Sequence, residues 1–163
     1  SGYVGGRERK TVTIKVEIPP GVSDGNYMTL SGEGDKSVKD NSPGDLIVYF
    51  EEKNHSLFIR NDSDLYVECF INYPDAVLGL DLEVPTLDGK VKMKVPPGIK
   101  NSQMLRLRGK GLPGLNRSKT GDLYVKISIK TLVDIDKKTK YIIEELKNSI
   151  KDKIEFNKIK NIQ

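Results

Sequence analysis

The residues of this chain that could carry out chemistry are few and widely separated. His55 is the only histidine and Cys69 the only cysteine among 163 residues. A metal site or an activated nucleophile needs several such side chains converging on one point, and His55 has neither a nearby cysteine nor converging carboxylates. Cys69 lies in the apolar run Leu65–Ile71, which indicates a buried small side chain, and a lone cysteine excludes an internal disulfide bond. We therefore expect no enzyme activity and no bound cofactor or metal.

Two further patterns could suggest chemistry, and both favour turns instead. Gly32-Glu33-Gly34 is spaced like part of a phosphate loop, but no Lys-Ser or Lys-Thr pair follows it and no helix begins after it. The same spacing returns in Gly109-Lys110-Gly111, which indicates that a turn at this position requires the glycines. Asp45 and Asp122 each follow a glycine and open a predicted strand, so we expect them to hold turns rather than to act as acids.

The composition is that of a folded chain with a mixed surface. Its 27 basic residues are scattered among 23 acidic ones, for a net charge of +4, and it has no tryptophan. Nucleic-acid binders concentrate basic residues on one face among stacking aromatics, so this charge pattern argues against nucleic-acid or carbohydrate binding. No apolar run approaches the ~20 residues of a membrane helix, and no signal-peptide pattern opens the chain. We expect a protein of the cytoplasm or an organelle matrix that is not secreted and binds no membrane.

The chain contains an internal repeat at a constant offset. The segment Lys15–Val22 (KVEIPPGV) returns as Lys92–Ile99 (KMKVPPGI), and Gly21 and Gly98 set the offset at 98 − 21 = 77. The match continues without a gap to Val48 and Val125. Two copies are too few for a solenoid, so the sequence predicts two sibling domains in tandem.

Alternating apolar and polar residues predict strands in both copies. Val12, Ile14, Val16 and Ile18 alternate with polar residues, and Pro19-Pro20-Gly21 ends that strand because proline cannot donate to a ladder. The other predicted strands are Tyr27–Leu30, Leu46–Phe50, Leu65–Ile71, Leu82–Val84, Val91–Val95, Met104–Leu107 and Leu123–Ile129, with a hairpin turn at Asp88-Gly89 and one helical turn at Tyr73–Leu78.

The predicted fold is mostly β, with two tandem small β-sandwich domains related by the repeat and a C-terminal amphipathic helix. We expect a first β domain over 1–54, a connection over 55–64, a second β domain over 65–132 and the helix over 136–150. Strands precede the repeated motif in the second copy, whereas only Ser1–Lys10 precede it in the first. The first domain is therefore expected to be truncated.

The predicted helix has an apolar face made of Ile142, Ile143, Leu146 and Ile150, with Asp136 as its N-cap. Such a helix either folds back on its own domain or docks on a partner chain, and the sequence leaves both open. The apolar residues Val12, Ile14 and Val16 would lie near an edge of the first copy, with Phe58 in the connection. Together they could form a shallow pocket for an extended peptide; the alternative is ordinary core packing.

Several motifs in this order resemble the C-terminal region of DnaJ-type J-domain co-chaperones, in particular the bacterial and organellar branch. The resemblance covers about Gly2 to Ile150. The segments that carry it are Pro-Pro-Gly-Val from Pro19, Gly-Glu-Gly from Gly32, Gly-Asp-Leu from Gly44, His55-x-x-Phe58-x-Arg60, Val84–Gly89 and Arg108–Pro113.

The resemblance implies two β-sandwich domains that bind unfolded client polypeptide, mainly on the first, and a homodimer formed through the terminal helix. It implies a co-chaperone that assists protein folding with a 70-kDa heat-shock chaperone. By position, Ile14 matches a client-pocket aliphatic residue and Phe58 the pocket aromatic, while Val12 and Val16 are added because they share the strand face. Ile142, Ile143, Leu146 and Ile150 are the implied dimerisation residues.

The sequence also departs from that family. It has no His-Pro-Asp tripeptide, so we expect this chain not to stimulate the ATPase of the 70-kDa chaperone. It has no cysteine pairs, so zinc is expected only in a cysteine-rich region that this sequence does not contain. Ser56 stands where the family usually has proline. Client identity, and whether this chain alone binds clients or serves only as a dimerisation module, stay open.

Overall fold

The computed structural model of the chain describes residues 9–36 and 42–160. The backbone divides into two units, Ser1–Ile129 and Lys130–Gln163, which are described in turn. The described residues form eight strands, two α-helices and one short 3-10 turn, so the expected mostly β class is confirmed. The domain boundaries at 54, 64 and 132 and the sandwich form of each copy stay predictions.

The first copy is represented by a two-stranded antiparallel hairpin. Strand β1 (Tyr27–Leu30) pairs with β2 (Leu46–Tyr49), and both lie where the sequence predicts them. Residues with half-buried side chains alternate with exposed ones along each strand, as a sheet with one solvated face requires. Among the described residues, the other edge of β2 pairs with no strand.

The second copy has a larger sheet. Its four strands run in the order β3-β4-β8-β7, and β5 and β6 form a separate antiparallel hairpin. Their bounds are β3 Ile59–Asn61, β4 Asp64–Ile71, β5 Leu80–Thr86, β6 Gly89–Val95, β7 Gln103–Leu107 and β8 Leu123–Ile129. Strand β3 lies inside the predicted connection, where the sequence analysis expects no strand. It forms because residues 59–61 pair with the first residues of β4 across a tight turn.

The repeat is reproduced in the hydrogen bonding of the backbone. Tyr27 pairs with Tyr49 as Met104 pairs with Lys126, so the β1–β2 and β7–β8 ladders share one register at the offset of 77. The Gly34 amide donates to the Gly44 carbonyl at 2.8 Å, and the equivalent amide of the second copy donates to its own glycine carbonyl at 3.0 Å. The two copies are therefore related in conformation as well as in sequence.

The two repeated aspartates hold turns, as their positions predict. Asp45 Oδ1 accepts from the Gly32 amide at 3.2 Å, and Asp122 Oδ1 accepts from the Gly109 amide at 2.7 Å. Both glycines have positive φ angles, 77° and 70°, which residues with a Cβ rarely adopt. Asp122 additionally accepts from the Arg106 Nε at 2.7 Å.

Among the described residues, the hydrophobic core is formed by the second copy together with Phe58 of the connection. Leu123, Val125 and Ile127 on β8 are the centre, with relative exposures of 0–1%. The parallel pairing of β4 with β8 brings the inward side chains of both strands together. The other core members are Phe58, Leu65, Val67, Ile71, Ala76, Val84, Val95 and Ile99.

The predicted strand over Val12–Ile18 is wrong for this structure, which assigns no strand to residues 9–19. Its equivalent in the second copy, β6, is a strand because it pairs with β5 along its whole length. At the same offset the counterpart of β5 would be residues 3–9, nearly all of which lie outside the described part of the chain. The alternation itself survives, since Ile14 and Val16 are half-buried between exposed polar neighbours.

Both predicted helical segments are present. Helix α1 (Tyr73–Leu78) begins after Asn72, whose Oδ1 accepts from the Asp75 amide at 2.9 Å, and ends at Gly79.

The hairpin turn before β6 is centred on Leu87 and Asp88, one residue earlier than the predicted Asp-Gly turn.

The second unit contains helix α2 (Lys137–Ser149). Its N-cap is Asp136, whose Oδ1 accepts from the Thr139 amide at 2.7 Å. Hydrogen bonds from the Thr139 side chain and from its amide hold the pKa of Asp136 below its ordinary value. Ile150 is the C-cap rather than a helical residue, a one-residue correction to the predicted end. No helix among the described residues is long and apolar enough to span a membrane.

The repeat allows a matched test of the two turn aspartates. The hydrogen bond from Gly109, followed by the bonds from Arg106, holds the pKa of Asp122 below its ordinary value. Such a group stabilises the folded state above its unfolded pKa, near 4, and this contribution is lost as the pH falls through the lower folded pKa. We expect Asp122→Asn to lower the urea midpoint at pH 7 clearly more than Asp45→Asn, whose carboxylate is exposed.

The difference between the two variants should shrink below pH 4. Equal midpoints for both variants at pH 7 would contradict the assignment of Asp122 as the anchored carboxylate.

Candidate functional site

A cavity of about 240 Å³ lies where the connection between the copies meets the second sheet. Its apolar lining comes from Phe58, Leu65, Leu87 and Leu112, contributed by the connection, β4, the β5–β6 turn and the loop after β7. Glu52, Lys53, His55 and Arg60 form its polar rim. An apolar floor with a charged rim is the composition of a small peptide- or ligand-binding cleft.

His55 orients the aromatic residue of this cavity. Its Nδ1 accepts from the Leu57 and Phe58 amides at 3.0 and 3.3 Å. The imidazole and the Phe58 ring lie 5.0 Å apart. His55 therefore acts as a local cap of the turn that directs Phe58 inward, which gives the lone histidine a structural role.

The four residues predicted to bind a client peptide differ in burial, and their joint role stays a prediction. Phe58 is 7% exposed and belongs to the core of the second copy. Val12 is 70% exposed, and Ile14 and Val16 are half-buried. None of these three is among the side chains that pack on the described core. Phe58 is therefore packed in the core and also lines the cavity, and its contact with a client stays a prediction.

The exposed face of the β1–β2 hairpin carries three large apolar or aromatic side chains. Tyr27, Ile47 and Tyr49 point to the same face of β1 and β2, and each is at least half exposed. The two tyrosine rings lie 5.8 Å apart. In the second copy the residues equivalent to Tyr49 and Ile47 are Lys126 and Tyr124, and Tyr124 is stacked on Tyr66 of β4 at 5.1 Å.

Three of the predicted dimerisation residues lie on α2, and the fourth, Ile150, is its C-cap. Ile142, Ile143, Leu146 and Ile150 are 39–55% exposed, and the helix has no buried residue. The tail beyond it also borders a depression, of about 670 Å³, lined by residues 157–160 alone. Four consecutive residues of one segment do not form an enclosed site, so this depression carries no function here.

Sequence reasoning missed most of the cavity. Leu87 and Leu112 lie far apart in the chain and meet Phe58 only through the fold, so no local pattern could have placed them there. The sequence marks Arg60 only as part of the motif His55-x-x-Phe58-x-Arg60. The described residues contain no cluster of three or more His, Cys, Asp or Glu side chains that could hold a metal ion.

Comparison with known proteins gives the family. The sequence profile described as the DnaJ C terminal domain matches residues 5–131. The chain is 42% identical over 149 residues to a protein named Chaperone protein DnaJ from Chlorobaculum tepidum, which covers 91% of this chain and 37% of that protein. It is 50% identical over 118 residues to Chaperone protein DnaJ 2 from Aquifex aeolicus, covering 72% of this chain and 31% of that protein.

The chain belongs to the DnaJ C-terminal domain family, and the resemblance noted from its motifs is confirmed. It spans a little over a third of the length of the Chlorobaculum relative that it matches.

The buried position of Phe58 changes what its substitution should do. We expect Phe58→Ala to lower the free energy of unfolding by about 3–5 kcal/mol, because it removes an aromatic side chain from a packed core. Leu57→Ala removes an exposed neighbour and should cost less than about 0.5 kcal/mol. Urea unfolding followed by circular dichroism measures both, and a change below about 1 kcal/mol for Phe58→Ala would show that this ring is not a core residue.

Proposed function

We propose that this chain is the client-binding and dimerisation part of a DnaJ-type co-chaperone, which holds unfolded polypeptide for a 70-kDa heat-shock chaperone. One observation carries the binding half of this proposal. The first copy contains no fully buried side chain among its described residues, 9–36 and 42–54, although it shares the apolar pattern of the second. Half-buried apolar groups beside a lined cavity are therefore available to an apolar segment of another polypeptide.

Equivalent positions in the two copies differ in how deeply their apolar side chains are buried. Leu46 and Val48 of β2 are half-buried, whereas their equivalents Leu123 and Val125 of β8 are buried in the core of the second copy. Burying an apolar side chain of this size contributes roughly 1.5–3 kcal/mol. An extended apolar peptide that covered the first copy and reached the cavity beside Phe58 would gain part of that free energy. We take Ile14, Val16 and the cavity lining as the proposed contact surface, with Val12 at its exposed margin.

A labelled apolar peptide tests client binding. Leu87, on the open side of the cavity, is 46% exposed, so Leu87→Ser should leave folding intact. We expect this variant to weaken peptide binding roughly 10-fold, because the peptide no longer covers an apolar side chain there. Leu78→Ser is the matched control, since Leu78 is also exposed and lies outside the cavity. Fluorescence anisotropy measures both affinities.

Absence of binding by the folded wild-type chain would refute the client-binding proposal. Equal losses for Leu87→Ser and Leu78→Ser would refute the cavity as the site.

The dimerisation half of the proposal rests on helix α2. A helix with one apolar stripe gains stability by burying that stripe against another surface. Ile142 and Leu146 lie one turn apart on the stripe, and 55% and 40% of their surfaces are exposed. A second copy of the same helix, related by a two-fold axis, presents the same stripe and so supplies an apolar partner.

A single charge on the stripe should separate the dimer. We expect Ile142→Asp or Leu146→Asp to give a folded monomer, because the interface would bury an unpaired carboxylate. Asn148→Asp adds the same charge on the opposite side of α2 and should leave the dimer intact. Sedimentation velocity at micromolar concentration distinguishes these states, and a monomeric wild-type chain would overturn the proposed dimer.

A second candidate function is a dimerisation module without a client site. The burial of Phe58 in the core favours it, because the matched pocket aromatic is not free to contact a peptide. The two candidates differ in the anisotropy experiment: a dimeric chain that fails to bind apolar peptides would be the module alone.

A further inference from the structure

The two copies meet at a junction that the repeat does not share. At Gly21, the turn that ends the first repeated segment comes against the loop that holds Gly114 and Leu115. A Cβ built on Gly21 would collide with the Gly114 carbonyl and would lie 2.6 Å from the Leu115 nitrogen. Real Cβ atoms do not approach backbone so closely, so the two loops are packed backbone to backbone.

The equivalent glycine of the second copy gives an internal comparison. Gly98 has a φ angle of 74°, close to the 79° of Gly21, so both positions require the left-handed conformation for their turns. A Cβ built on Gly98, however, meets no atom within 4 Å. The positive φ angle of the turn therefore accounts for glycine at both positions. Of these two glycines, only Gly21 must also lack a Cβ because the backbone of the other copy lies against it.

Arg60 makes the second contact of this junction. Its guanidinium donates to the Val22 carbonyl at 3.0 Å and to the Ser23 hydroxyl at 2.8 Å, both in the first copy. It also donates to Glu52 Oε2 at 3.0 Å and to the Asp62 carbonyl at 2.7 Å. Its side chain is only 16% exposed. Hydrogen bonds in several fixed directions suit a planar guanidinium and not a single ammonium group.

The segment that Arg60 grips is itself well anchored. The Ser23 amide donates to Asn26 Oδ1 at 2.8 Å, and the Glu52 amide donates to Asp24 Oδ1 at 3.1 Å. These hydrogen bonds join the loop after Gly21 to both ends of the β1–β2 hairpin. A displacement of this loop would therefore displace the hairpin with it. Arg60 and Glu52 also lie on the rim of the cavity. The junction and the cavity therefore share these two residues.

We propose that Gly21 and Arg60 are positioning residues, which fix the first copy against the second and thereby set the shape of the cavity beside Phe58. The part of this proposal that concerns peptide affinity rests on the proposed client-binding function. The part that concerns the junction does not, because it depends only on how firmly the two copies are held.

Distances between spin labels test the junction directly. Labels at Thr29→Cys on β1 and Lys92→Cys on β6, in a Cys69→Ala background, report the placement of one copy relative to the other. We expect Gly21→Ala and Arg60→Ala to broaden or shift the distance distribution measured by double electron–electron resonance. The matched controls Gly98→Ala, with the same backbone strain, and Arg108→Ala, at an exposed arginine, should leave it as in the wild-type chain.

A distribution in Gly21→Ala that equals that of Gly98→Ala would overturn the proposal for Gly21. If Gly21→Ala fails to fold by circular dichroism, Arg60→Lys decides the question. Lysine keeps the charge but cannot reach four acceptors in separate directions, so the distribution should broaden. A wild-type distribution in Arg60→Lys and Arg60→Ala would overturn the proposal for Arg60.

Peptide affinity supplies the functional readout. Gly21 does not line the cavity, so a change in binding on its substitution acts through the position of the copies. We expect Gly21→Ala to weaken binding of the labelled apolar peptide roughly 10-fold, because the collision with the Gly114 backbone displaces the first copy, with Gly98→Ala unchanged. If the folded wild-type chain binds no peptide, the proposed function fails while the label distances still judge the junction.

Discussion

The parallel pairing of β4 with β8 is the constraint on which the rest of the structure depends. Seven residue pairs, from Leu65 with Leu123 to Ile71 with Ile129, lie side by side in one sheet, and Leu123, Val125 and Ile127 of β8 are almost completely buried in the core. Parallel strands need a long connection, and here it includes α1, the β5–β6 hairpin and β7. The pairing therefore decides where each of these elements lies, and it holds β3 and Phe58 at the edge of the core.

The internal repeat shows the consequence of having or lacking such a pairing. Both copies share turn hydrogen bonds and hairpin register, so local sequence is sufficient to define the hairpin. Among the described residues of the two copies, fully buried side chains occur only in the second, where β8 pairs with β4 as well as with β7. In the described residues of the other copy the same apolar pattern remains half-buried, which is the physical reason for assigning it a binding role.

Sequence predicted the local elements well, because each has a local cause. Period-two alternation predicted β1 and β8, and Asp136 predicted the start of α2. The repeated glycines, with Asp45 and Asp122, predicted the turns. Relations between distant residues were not accessible. No local signal joins Leu87 and Leu112 to Phe58, or Gly21 to Gly114, because these contacts follow from the path of the chain. The strand over Val12–Ile18 failed for the same reason, since a strand needs a partner and periodicity does not supply one.

The central claim is that an apolar polypeptide binds beside the cavity and the first copy. Methyl-resolved NMR of the chain, titrated with an apolar peptide, tests it most directly because it reports each contact separately. The account predicts saturable shifts in the methyl groups of Ile14, Val16, Leu87 and Leu112, with those of the β8 core residues unchanged. No saturable shifts, or shifts confined to Ile142 and Leu146 of α2, would contradict it.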